Sequence, residues 1–366
     1  MVKTATLAAG MAFGLNIILI PIILRLSHHF RWYDPPDKRK IHKGLIPRLG
    51  GTGMFLSFAA AILLSPLLLS AFTGGGAAFP ASPRILYPLA GMFLIHLLGL
   101  IDDFYNLKAA LKFFLQLLAA SIVTAGGYTI RSFSMPYLGT FPLGVLAYPL
   151  TVLWIVGISN AINLIDGMDG LAGGICAFAS LSIGIISLIQ GEAVPAMLAF
   201  GLCGAILAFL CFNLPPAKIF MGDSGSLFLG FTLAVLPLMG ISKASAFGTL
   251  IVPITLLAIP IIDTAAAIQR RIKNKRSIIS PDKEHIHHKL LDIGLSERQI
   301  LGMIYGCCLY LSIVSISSVI LPKEVNVYLV MVVWAGSMLG YGFLNYLDGK
   351  RVSVKKRSAK GKKVSR

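Results

Sequence analysis

Met92-Phe-Leu-Ile-His-Leu-Leu-Gly-Leu-Ile-Asp-Asp103 is an oily run that closes on two adjacent carboxylates. Carboxylates at the edge of hydrocarbon are costly unless they are paired or bind something. The pattern recurs along the chain. Asp166 and Asp169 stand in Asn160-Ala-Ile-Asn-Leu-Ile-Asp-Gly-Met-Asp-Gly170, and Asp223 stands in Phe220-Met-Gly-Asp-Ser-Gly-Ser226, next to further apolar segments. Several such acids on one face point to a metal-dependent site at a membrane surface.

Outward from these motifs, the composition fits. Of 366 residues, 56% are hydrophobic and 13% charged, too little polar surface for a soluble protein of this length. The expected fold is an all-α polytopic membrane protein, since about 20 apolar residues cross a bilayer. Eleven spans are expected: 4–24, 51–72, 85–101, 109–125, 144–158, 171–189, 195–212, 225–239, 247–267, 300–321 and 325–343. Lys and Arg set the orientation. Of 32 basic residues, 27 fall on one side, which is therefore cytoplasmic. The N-terminus is expected outside and the C-terminus inside, in a plasma (inner) membrane. Thirteen of the 15 acids share the cytoplasmic side. Residues 1–349 read as one membrane domain and 350–366 as a basic, disordered cytoplasmic tail. The net charge of +17 is topogenic and lipid-facing on this reading, with no nucleic acid expected as a partner. The five cysteines lie in apolar segments and imply no disulfide framework.

Asp102 and Asp103 repel one another, and a divalent cation or a lysine relieves that. Lys108 and Lys112 follow at i, i+4 spacing, which suits a phosphate-metal site; the plain alternative is a capped loop with a surface ion pair. Asn160, Asn163, Asp166 and Asp169 recur every three residues, a polar ladder of oxygens that suits a hard cation such as Mg²⁺. Helix capping is the alternative for both the ladder and Asp223. Asp223 lies in a glycine–serine setting able to expose backbone N–H groups at a helix start. His285, His287 and His288 follow a basic loop. Without Cys or an HExxH pattern, zinc is a weaker expectation than donors to a phosphate or nucleotide. His96, inside a span, reads as a satisfied bundle residue.

The core Asp166-x-x-Asp169-Gly170 also opens the CDP-alcohol phosphatidyltransferase signature, but position 173 is Gly and the next acid is Glu192, so that family is rejected. In order, Asp102-Asp103, NAINLIDGMDGLAGG (160–174), FMGDSGS (220–226) and HIHHKLL (285–291) resemble the polyprenyl-phosphate N-acetylhexosamine-1-phosphate transferases of the MraY/WecA/TagO type. KIHKGLIPRLGG (40–51) looks like their first cytoplasmic loop. The His-x-His-His form is similar to the WecA/TagO branch. The resemblance implies transfer of a sugar-1-phosphate, most readily GlcNAc-1-phosphate, from a UDP-sugar to undecaprenyl phosphate, with release of UMP. It implies Mg²⁺, replaceable by Mn²⁺, held by Asn163 and Asp223. It implies catalytic roles for Asp102, Asp103, Lys112, Asp166 and Asp169, with Lys43, Lys108, Asn160, His285, His287 and His288 binding substrate. A covalent phospho-aspartate and a single displacement both stay open, as does a homodimer. An ion-coupled transporter is the alternative from another class; it would place its ionisable groups near the bilayer midplane.

Overall fold

The structure is a computed structural model that describes residues 1–33, 46–73, 82–135, 139–240, 248–275 and 285–322, with single positions thereafter up to 342. Lys43, the tail and most of the eleventh span lie outside the described residues. Helices dominate. In chain order they are α1 (Val2–Phe30), α2 (Gly50–Thr73), α3 (Leu86–Tyr105), α4 (Ala109–Ala125), α5 (Ala147–Ile165), α6 (Leu171–Ile189), α7 (Ala193–Asn213), α8 (Gly222–Met239), α9 (Gly248–Leu256), α10 (Ala258–Lys273), α11 (Ile286–Ile293) and α12 (Glu297–Ile320). Among the described residues, eight helices are long and apolar enough to cross a membrane, and α4 is a shorter apolar helix. Leu63, Leu67, Phe114, Leu153, Ile313 and Ile320 point outward from these helices, as an apolar solvent requires.

Two expectations are corrected. The span expected at 247–267 is two helices, α9 and α10, broken at Leu257. Pro260 has no N–H for the Leu256 carbonyl, and its ring crowds that carbonyl, so the chain restarts with Pro260 in the first turn of α10. The span expected to end at Ile158 runs to Ile165 as α5. The connection between α4 and α5 is a small antiparallel hairpin, β1 (Ser132–Met135) with β2 (Gly139–Pro142), in which Phe133 pairs with Phe141.

Helix α8 organises the bundle. It packs on α2, α3, α5, α6, α7 and α9 and is buried along most of its length. It runs antiparallel to α5, because Ser159 Oγ donates to the Leu227 carbonyl at 2.9 Å and Trp154 Nε1 to that of Ala234 at 3.1 Å. It runs antiparallel to α3 as well. A Cβ at Gly99 would lie 2.4 Å from the Asp223 carbonyl oxygen, and one at Gly51, on α2, 2.1 Å from Gly225 N. Both positions require glycine, and their absent side chains let α3 and α2 close on the first turn of α8. His96 is the satisfied bundle residue expected: Nδ1 bonds the Ser224 carbonyl at 3.1 Å, and the ring stacks on Phe55.

Candidate active site

The end of α3, the start of α4, the end of α5 and the start of α8 converge at one end of the bundle. A three-residue connection, Asn106 to Lys108, makes α3 and α4 antiparallel neighbours. Asn106 takes the left-handed conformation, which asparagine tolerates. Asp102 Oδ1 accepts from Leu107 N–H at 2.7 Å and so fixes this turn. Its Oδ2 faces Lys112 Nζ at 2.6 Å, and the same ammonium reaches Asp223 Oδ2 at 2.5 Å. One lysine therefore bridges carboxylates 121 positions apart. Lys112 and Asp223 are 22% and 23% exposed, whereas Asp102 is 7% exposed. The pair is thus partly open at this end of the bundle, and Asp102 lies more deeply buried beside it.

Asp103 does something different from its neighbour. Its Oδ1 accepts from Asp223 N–H at 2.7 Å and its Oδ2 from Ser224 N–H at 3.0 Å. No side chain of its own caps α8. The carboxylate of α3 satisfies two of the first-turn donors and places negative charge at the positive end of the helix. The capping alternative for Asp223 is thereby answered: the cap is Asp103, and the Asp223 side chain is left to meet Lys112 and Asn163. Asp223 Oδ1 accepts from Asn163 Nδ2 at 3.1 Å, and the same amide donates to Ser226 Oγ at 2.8 Å.

The expected four-rung ladder is only half helical. Asn160 and Asn163 lie on α5, but the helix ends at Ile165. Asp166 is its C-cap and Asp169 sits in the turn beyond. Asn160 is held in a reciprocal amide pair with Gln116 of α4, at 2.6 and 3.3 Å. Asp169 is buried and accepts from Ala217 N–H at 2.9 Å, tying the α5–α6 turn to the α7–α8 loop. Asp166 is half-buried and, among the described residues, has no hydrogen-bond partner. Burial, then the charges of Asp223, Asp103 and Asp169, push its carboxyl up to about 7, against the pull of Arg48. Lys108 is exposed at the head of α4.

The histidines arrive from α11. A Cβ at Gly167 would lie 2.8 Å from His287 Nε2, so the ring lies flush on the backbone next to Asp166. His287 is 1% exposed, and both of its ring nitrogens are buried without a hydrogen-bond partner among the described residues. Burial, then the neighbouring His288 and His285, hold its imidazole down to about 3, against Asp263. It is therefore neutral at physiological pH. His285 is turned away, with Nδ1 on Asp263 Oδ2 at 2.8 Å. His288 is half-buried, its ring 4.3 Å from that of His287. Sequence reading missed Gln116, Ser226 and Asp263. Gln116 and Asp263 had a signal available, since each interrupts an otherwise apolar run, Leu115-Gln-Leu117 and Ile261-Ile-Asp263.

Fold and site together define a helical membrane protein with carboxylates, a lysine and a buried neutral histidine gathered at one end of its bundle, a charge pattern suited to phosphate-bearing ligands. The chain belongs to glycosyl transferase family 4, whose model matches residues 85–241. It is 41% identical, over 86% of its length and 83% of the relative's, to a Bacillus subtilis protein named "probable undecaprenyl-phosphate N-acetylglucosaminyl 1-phosphate transferase". It is 36% identical to the decaprenyl-phosphate N-acetylglucosaminephosphotransferase of Mycobacterium leprae and 30% identical to the undecaprenyl-phosphate alpha-N-acetylglucosaminyl 1-phosphate transferase of Escherichia coli K12. Each of these matches covers 74% of this chain and 72% of the relative.

Proposed function

We propose that this chain transfers N-acetylglucosamine-1-phosphate from UDP-N-acetylglucosamine to undecaprenyl phosphate, releasing UMP, at the cytoplasmic face of the plasma membrane. The observation that carries the reading is the Lys112 ammonium held between Asp102 and Asp223 at one end of the bundle. The names of the relatives supply the substrates. The basic residues crowded on the same side of the sequence supply the orientation.

An oxygen of the lipid phosphate bonds to the β-phosphorus, the bond from that phosphorus to the UMP oxygen breaks, and UMP carries the electron pair away. Such a transfer is chiefly positioning and charge neutralisation. Lys112 supplies a cation to the phosphoryl oxygens. Asp102, beside it, orients the lipid phosphate and takes its proton where one is present. Asp103 holds the first turn of α8 and with it Asp223. His287 and His288 close over the nucleotide-sugar from the Gly167 side.

The donor set fits Mg²⁺. Asp223 is on hand, Asn163 has its carbonyl oxygen to spare, and Asp166 is a carboxylate that, among the described residues, has no hydrogen-bond partner and is crowded by like charge. Among the described residues no group of three or more His, Cys, Asp and Glu gathers closely enough to hold an ion alone. That suits an ion that takes one or two carboxylates and draws its other ligands from water and substrate phosphates. When bound, it neutralises charge on the pyrophosphate and the leaving group. The ion-coupled transporter is the weaker reading, since the acids gather at one end of the bundle. Purified protein given undecaprenyl phosphate, Mg²⁺ and a panel of UDP-sugars tests the proposal. UMP release that requires both the lipid and UDP-N-acetylglucosamine is expected; no release with any sugar would overturn it.

A further inference from the structure

Asp263 lies on α10, preceded by Ile261 and Ile262, and is 2% exposed. A carboxylate this far from water costs several kcal/mol unless its oxygens are satisfied. Both are. Oδ2 bonds His285 Nδ1 at 2.8 Å, and Oδ1 accepts from Ile286 N–H at 3.0 Å. Ile286 is the first residue of α11, and that helix has no cap from its own N-cap side chain. A single buried acid from α10 therefore both anchors His285 and caps the helix that carries His287.

His287 needs that support. Among the described residues no hydrogen bond fixes its ring. It is located by the Gly167 backbone on one side and by its neighbours in the segment. The His285 ring lies parallel to it, 5.9 Å away, and the His288 ring packs at 4.3 Å. Of these neighbours, His285 and the start of α11 are tied down by hydrogen bonds, and both bonds end on Asp263.

We infer that Asp263 is a positioning residue for the nucleotide-sugar site: it seats His285 and the first turn of α11 and through them holds His287 over Gly167. This rests on the reading of His287 as a group that meets the nucleotide-sugar. Asp263 has no part in the cluster of Asp102, Lys112 and Asp223, so its loss acts on binding and not on the transfer step.

The test uses the full-length chain in detergent, with UDP titrated in the presence of Mg²⁺ and steady-state turnover of UDP-N-acetylglucosamine measured alongside. In Asp263→Asn the amide keeps one acceptor oxygen where two are used. The Kd for UDP and the KM for UDP-N-acetylglucosamine should each rise about tenfold, the scale of one lost hydrogen bond to a charged group, with kcat within about threefold of wild type. In a His287→Ala background the same substitution should add less than about twofold, because the two act through one contact. An unchanged Kd, a loss confined to kcat, or a full tenfold loss in the His287→Ala background each overturns the inference. If Asp263→Asn does not fold, His285→Ala cuts the same tie from the other end. It must then raise the Kd similarly, and an unchanged Kd overturns the inference by that route. Failure of the functional reading looks different: wild type itself would neither bind UDP nor turn over the nucleotide-sugar.

Discussion

Asp103→Asn separates the two members of the carboxylate pair. In the native site both Asp103 oxygens accept from the first turn of α8, at 2.7 and 3.0 Å. An asparagine has one oxygen, and its NH₂ would face the other N–H. One hydrogen bond to a charged acceptor is lost, about 1.5–3 kcal/mol. The favourable charge at the helix start goes with it, typically about 0.3–1 kcal/mol. The sum is about 2–4 kcal/mol. Part of it lowers stability. The remainder lets Asp223 shift, because Asp223 N–H is itself one of the two donors. With about 1.4 kcal/mol per tenfold in rate, a fall in turnover of about 10²-fold is expected. Asp102→Asn should lose at least about 10²-fold by a different route, since it deletes the carboxylate that faces Lys112 and the lipid phosphate. The measurements are UMP release per folded protein and the thermal unfolding midpoint in detergent. Asp103→Asn should lower both, while Asp102→Asn should lower turnover far more than the midpoint. Near wild-type turnover and an unchanged midpoint for Asp103→Asn would refute the cap and the positioning role together.

Activity should vanish with EDTA and return with Mg²⁺ or Mn²⁺ but poorly with Ca²⁺, whose longer bonds misplace the phosphates; Asp223→Asn should abolish this rescue while the protein still elutes as a folded species. His287→Ala and His288→Ala should weaken UDP-sugar binding in titrations more than they lower the unfolding midpoint, and equal affinity with equal turnover would return the cluster to a packing role. Gly167→Ala should also weaken binding, because its methyl would lie 2.8 Å from His287 Nε2 and must push the ring away; a wild-type Kd would show that the ring's position is immaterial. His287 stays neutral to about pH 3 in the fold but titrates near 6.5 when unfolded, so the unfolded state binds more protons between these values and stability falls as pH drops below 6.5. The unfolding midpoint of His287→Leu should therefore gain on that of wild type between pH 7.5 and pH 5, and a gap independent of pH would contradict the buried, neutral ring.

Much of the molecule is legible in the chain because hydrocarbon is an unforgiving solvent. Apolar runs long enough to span become helices, so α6 is found at the residues the hydropathy marks, and acids at the ends of such runs announce a site. The order of the four motifs carried the family. Local signals could not say which carboxylate does what. Asp102 and Asp103 are equivalent in sequence. Adjacent side chains on a helix point about 100° apart, and so one meets Lys112 and the other the start of α8. The regular spacing of Asn160, Asn163, Asp166 and Asp169 suggested one ladder, but α5 ends at Ile165, Gln116 takes Asn160, and Ala217 takes Asp169. The break at Leu257 follows from Pro260, yet hydropathy averages over it. Sequence alone therefore marked most of the membrane helices, the acids at their ends and the family. Only the tertiary structure decided the roles, because a carboxylate's function is set by the partner across the bundle, and hydropathy and spacing carry no record of contacts more than a hundred residues away.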